Sequence, residues 1–78
     1  MKVKSKKSLF IARAELGLTI KELSVKANVP TATISRVENG GTLSVRSAKK
    51  LCVALNKSFD TLFYVVKEGF SYGEERNY

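Results

Sequence analysis

Apolar residues in this chain recur at helical spacing, and turn-forming residues fall between the runs. Leu9, Ala12 and Leu16 stand at i, i+3 and i+7. They predict a first helix over residues 6–16, with Ser5 as its N-cap. Gly17 follows at the position where a left-handed residue ends a helix. Thr19-Ile20-Lys21-Glu22 has the spacing of a capping box: the threonine hydroxyl and the glutamate carboxylate each accept from the other residue's amide. The second helix then runs to about Lys26 and buries Leu23 and Ala27, together with Ile20 or its neighbours. Ala27-Asn28-Val29 forms a three-residue turn, and Asn28 tolerates the left-handed conformation such turns use.

Pro30 suits the first turn of a third helix, where its missing N–H is no loss. That helix spans about residues 31–38. Ile34 and Val37 face inward, leaving Thr31, Ala32, Thr33, Ser35 and Arg36 on the outside. Asn39-Gly40-Gly41 ends it. Ser44 caps a fourth helix to about Leu55, with Val45, Ala48, Leu51, Cys52 and Leu55 on one stripe, and Asn56 stops it. Residues 59–66 are short and strongly apolar. The expected fold is all-α over residues 1–66, with room for a short strand near 63–66 and a C-terminal tail over 67–78.

Composition narrows the function classes. A chain of 78 residues is one domain, and domains of this size bury only about 60% of their unfolded surface. Cys52 is the sole cysteine, so no disulfide braces the chain. Its place in an apolar stripe predicts a reduced core thiol; the rival role is a redox- or ligand-sensing thiol. Histidine is absent, which with one cysteine excludes a structural zinc site, and no cofactor is expected. The commonest general base is also missing, no phosphate-loop signature occurs, and Glu74-Glu75 lacks a positioned partner, so the protein is not expected to be an enzyme. No apolar stretch approaches the roughly 20 residues of a membrane span. Met1–Lys7 has the basic character of a leader peptide, but Arg13 and Glu15 interrupt the apolar run after it within a few residues, and a cytoplasmic location is expected.

Charge is unevenly placed. Residues 1–57 hold twelve Lys/Arg against three Asp/Glu, whereas residues 58–78 hold two against four. A basic body suits a polyanionic partner. Two short helices joined by a three-residue turn make a helix-turn-helix, whose second helix enters the major groove while the first crosses the backbone. The third helix has small polar residues at its start and apolar residues on one side only, as groove entry requires. By pattern alone it also fits any helical hairpin.

Leu18-Thr19, Leu23, Val29 and Ile34-Ser35-Arg36-Val37-Glu38-Asn39-Gly40 together resemble the Cro/C1-type helix-turn-helix proteins of phages, plasmids and bacteria. The segments GLTIKEL, NVP, TISRVENG, SVRSAKKLCVAL and SFDTLF follow that family's five-helix, lambda-repressor-like layout across about residues 5–66. The resemblance implies double-stranded DNA as partner. It places Thr31, Ala32 and Arg36 where side chains read base edges, flanked by Thr33 and Ser35. Arg36 can bind guanine O6 and N7 bidentately, or instead contact a phosphate. Thr19, Ile20 and Lys21 open the second helix, whose N-terminus favours anions. Many relatives carry Gln where Ile20 stands, so that contact departs from the pattern and Lys21 is the candidate to compensate. Asn39 and Ser44 match further phosphate positions, and Arg46 matches one that reaches the minor groove. Arg13 and Glu38 match a largely buried structural salt bridge. Lys2, Lys4, Lys6 and Lys7 form either a solvated basic arm or an arm lying along phosphates.

The resemblance also assigns Phe59, Leu62, Phe63, Tyr64, Val65 and Val66 to a dimer interface, through a fifth helix or a strand crossing a two-fold. The alternative is that they cover their own core. The expected function is a transcriptional regulator, a repressor above all, acting as a homodimer on a palindromic operator. The rivals are a DNA-binding antitoxin whose tail, with Phe70, Tyr72 and Tyr78, wraps a toxin, and a protein-interaction module that has lost DNA binding.

Overall fold

A computed structural model describes residues 1–67 and 70–71. Among these residues are five helices and four strands: β1 (Lys2–Ser5), α1 (Lys7–Glu15), α2 (Ile20–Ala27), α3 (Thr31–Glu38), β2 (Leu43–Ser44), α4 (Val45–Leu55), α5 (Phe59–Leu62), β3 (Phe63–Lys67) and β4 (Phe70–Ser71). The four longer helices stop in one way. Each is followed by a residue in the left-handed region, Gly17, Asn28, Gly40 or Asn56. The next residue's amide then donates back across the turn: Leu18 to Arg13 O, Val29 to Ser24 O, Gly41 to Arg36 O and Lys57 to Cys52 O, at 2.8–3.2 Å. This Schellman closure satisfies carbonyls that the helix leaves open and turns the chain sharply. Short, sharply ended helices can then pack at steep angles around one core.

Fully buried Leu9, Leu23, Ile34, Val37, Leu51 and Leu62 form that core, and Val3 and Phe63 join it from the strands. The sheet corrects the all-α expectation. Its order is β2-β1-β3-β4, antiparallel throughout the described pairs. β1 therefore occupies an interior position, and Val3 stands opposite both Leu43 and Val65. The alternation Lys-Val-Lys sends Val3 into the core and leaves the lysines on the other face. The basic arm is thus a strand. Ser5 lies in it and caps nothing: its hydroxyl donates to Val37 O at 3.1 Å, tying the strand to the end of α3. Lys6 takes the N-cap position of α1, and its Nζ donates to Asp60 O at 2.7 Å. Leu16 lies beyond the end of α1, half exposed, and leaves the predicted apolar stripe.

The expected strand near 63–66 is β3, which pairs along the whole of β1. Leu62 and Phe63 are enclosed by their own chain, at 0% and 1% exposure, so as components of a dimer surface they are corrected. Phe59, Tyr64, Val65 and Val66 are partly exposed. Most of the 67–78 tail, with Tyr72, Glu74, Glu75 and Tyr78, lies outside the described residues; Lys67 and Phe70–Ser71 pair at the sheet edge. No helix among the described residues is long and apolar enough to cross a membrane.

Candidate nucleic-acid interface

α2 begins with the capping box its spacing predicts. The Glu22 amide donates to Thr19 Oγ1 at 3.0 Å, and the Thr19 amide donates to Glu22 Oε1 at 2.9 Å. Both bonds use the side chains as acceptors, so the Thr19 hydroxyl proton stays available to an anion. Asn28 turns the chain with φ 57° and ψ 48°, and Pro30 starts α3 from an extended conformation. Leu23, Ala27, Val29, Ile34 and Val37 are buried beneath this pair of helices. Burying a Leu, Ile or Val side chain stabilises by roughly 1.5–3 kcal/mol, and the shared burial fixes the two helix axes relative to one another.

With Ile34 and Val37 consumed by the core, α3 turns its other side outward. Thr31, Ala32 and Arg36 form the outer ridge, while Thr33 and Ser35 flank them. The Asn39 side chain donates from Nδ2 to Ser35 O at 2.8 Å and so fastens the last turn of α3. Arg36 Nε donates to Thr42 O at 3.3 Å. Ile20 packs partly buried against the core, so it acts at the start of α2 as an apolar support and offers no hydrogen bond. Lys21 beside it is exposed, and Arg46 lies in the first turn of α4. Ser44 caps α4, accepting from the Ser47 amide at 3.1 Å.

Arg13 and Glu38 meet as a forked pair, Nε to Oε2 at 2.7 Å and Nη2 to Oε1 at 2.9 Å. Arg13 Nη1 donates in addition to Leu18 O at 2.8 Å. One guanidinium therefore joins α1, the turn before α2 and the end of α3. Its hydrogen bond to Glu38, helped by the carboxylate charge and opposed by burial, raises its pKa, so the fold favours the charged form. The centre of the Phe10 ring lies 5.3 Å from Arg13 Cζ, so the guanidinium also faces an aromatic ring.

Two features of this surface escaped sequence reasoning. The register sets Lys2 directly across from Ser44, so the N-terminal strand brings a cation to the start of α4. The K-V-K alternation was the available signal, but one apolar residue is too short a pattern to identify a strand. The second is the contact of Arg36 with the turn at Gly41-Thr42, for which the sequence holds no signal beyond the doubled glycine.

A family profile described as Helix-turn-helix matches residues 9–62. No curated protein and no solved structure matches the chain. The match covers more than half of the residues and takes in α2 to α5 with most of α1. The protein belongs to the Cro/C1-type helix-turn-helix family, a family of DNA-binding regulators.

Proposed function

We propose that this protein is a cytoplasmic transcriptional repressor that binds a palindromic operator as a homodimer, without catalysis. The observation that carries the reading is the two-sided character of α3: Ile34 and Val37 at 0% and 1% exposure beneath an outer ridge of Thr31, Ala32 and Arg36. A helix so anchored enters a major groove without repacking. Arg36 carries the direct readout, worth roughly 1–3 kcal/mol against a wrong base when it grips guanine at two atoms. Thr31 and Thr33 offer hydroxyls and methyl groups, Ala32 an apolar contact, and Ser35 a flanking hydroxyl. Thr19, Lys21, Asn39 and Ser44 approach phosphates, Ile20 supports them from below, and Arg46 reaches the adjoining minor groove. The twelve-to-three excess of bases over acids in residues 1–57 supports a polyanionic partner. A symmetric dimer sets two reading helices about 34 Å apart, one turn of B-form DNA. The partly exposed Phe59, Tyr64, Val65 and Val66 are the surface for that association.

Selection of bound sites from random duplexes tests the whole reading. A two-fold symmetric consensus is expected. Recovery of no consensus, with binding unaffected by salt, would overturn it. Within the selected site, Arg36→Ala is expected to relax preference at one base pair. Lys21→Ala is expected to weaken all duplexes alike and lower the logarithmic salt slope by about 1.

A further inference from the structure

Gly40 and Gly41 follow α3 side by side, and each is glycine for a different reason. Gly40 has φ +96°, a left-handed conformation that penalises any side chain, yet a Cβ there would meet nothing within 4 Å. Gly41 is outside that region, so its backbone demands no glycine. A Cβ at Gly41 would instead lie 2.5 Å from Arg36 Cγ, 2.9 Å from Arg36 O and 3.2 Å from Arg36 Cδ. The aliphatic stem of Arg36 therefore lies flat on the space where a side chain would stand. At its far end Arg36 Nε donates to Thr42 O at 3.3 Å, and the Gly41 amide donates to Arg36 O at 2.8 Å. Stem, guanidinium and carbonyl of one arginine are each held by the turn that closes its own helix.

We infer that Gly41 and the carbonyl of Thr42 form a seat that presets Arg36 for base recognition. The inference rests on the reading role proposed for Arg36 and adds the residues that determine its specificity. An untethered arginine samples many rotamers and loses that freedom on binding. Here the contact at Nε consumes the donor nearest the chain. The Nη1–Nη2 edge stays open, and that edge matches the O6 and N7 acceptors of guanine. Gly41 touches no DNA in this scheme; it is a positioning residue, acting through the close approach that only a missing Cβ permits.

The two glycines give an internally controlled test on the full-length chain. Gly40→Ala strains the backbone without meeting Arg36, whereas Gly41→Ala drives a methyl group against both the stem and the carbonyl oxygen of Arg36. Affinities are compared on the selected operator and on copies altered at each of its base pairs in turn, at a temperature where circular dichroism shows each variant folded. Discrimination by the wild type is expected to be roughly 5- to 150-fold. Gly41→Ala is expected to lose most of it, with no further loss when combined with Arg36→Ala. Gly40→Ala should keep it, although it unfolds at lower temperature. A folded Gly41→Ala variant with wild-type discrimination overturns the seat while leaving the role of Arg36 intact. An Arg36→Ala variant with unchanged discrimination overturns the base-reading role and the seat with it. A second measurement needs no variant. In the free protein the Nε–H proton of Arg36 should exchange with water several-fold more slowly than that of Arg46 in nuclear magnetic resonance spectra, and equal rates overturn the seat.

Discussion

Val3 offers the sharpest test of the architecture, because it separates a strand from a solvated arm. Its side chain is 0% exposed, and it stands between Leu43 and Val65 in the sheet. Val3→Ala removes two methyl-sized groups from this position. Transfer alone costs about 0.8 kcal/mol for each, and incomplete collapse of the cavity brings the total to about 2–3 kcal/mol. In a domain of this length each kcal/mol lowers the midpoint by about 4–8 °C, so a fall of roughly 10–20 °C is expected. Urea and thermal denaturation followed by circular dichroism measure both quantities. Lys2→Ala is the control: it changes the neighbouring, outward-facing position and should stay within about 0.5 kcal/mol. If Val3→Ala is equally silent, residues 2–5 are not paired into the sheet, and the placement of Lys2 opposite Ser44 falls as well.

Other substitutions probe the supports of α3. Glu38→Ala should destabilise by about 1.5–3 kcal/mol, since it leaves the part-buried Arg13 guanidinium without its carboxylate; replacing both partners with apolar residues should recover much of the loss in urea titrations. Thr19→Ala should cost about 1 kcal/mol through loss of the α2 cap, while Thr19→Ser should be close to neutral, both read from the denaturation midpoint. Cys52 is buried, and desolvation raises its pKa despite the opposing charge of Lys49. Less thiolate is therefore present at any pH below the raised value. Disulfide reagents at pH ~8 should modify it far more slowly in the folded chain than in urea, and equal rates would show that the site is open.

Much of the local structure was legible along the chain because its causes are local. The capping box at Thr19–Glu22 needs only two side chains three residues apart. The left-handed stops at Gly17, Asn28, Gly40 and Asn56 reflect what those residue types tolerate in φ. The inward stripe of α3 comes from the helical period, and so does the outward ridge of Thr31, Ala32 and Arg36. For the same reason the candidate reading surface is located by the order of residues alone.

Tertiary structure decided what depends on residues far apart in the chain. Whether Lys2–Ser5 is an arm or a strand turns on Leu43 and Val65, which supply the pairing that four residues cannot make alone. Leu62 and Phe63 look, in sequence, like part of an association surface; they enter the core only when α5 packs on α1 and α4 and β3 pairs with β1. The seat of Arg36 is of this kind too, a steric relation between a stem and a turn five residues later. Torsional preference and periodicity are properties of a short segment, whereas burial, register and close approach are properties of pairs of segments, and these are set only when the chain has packed.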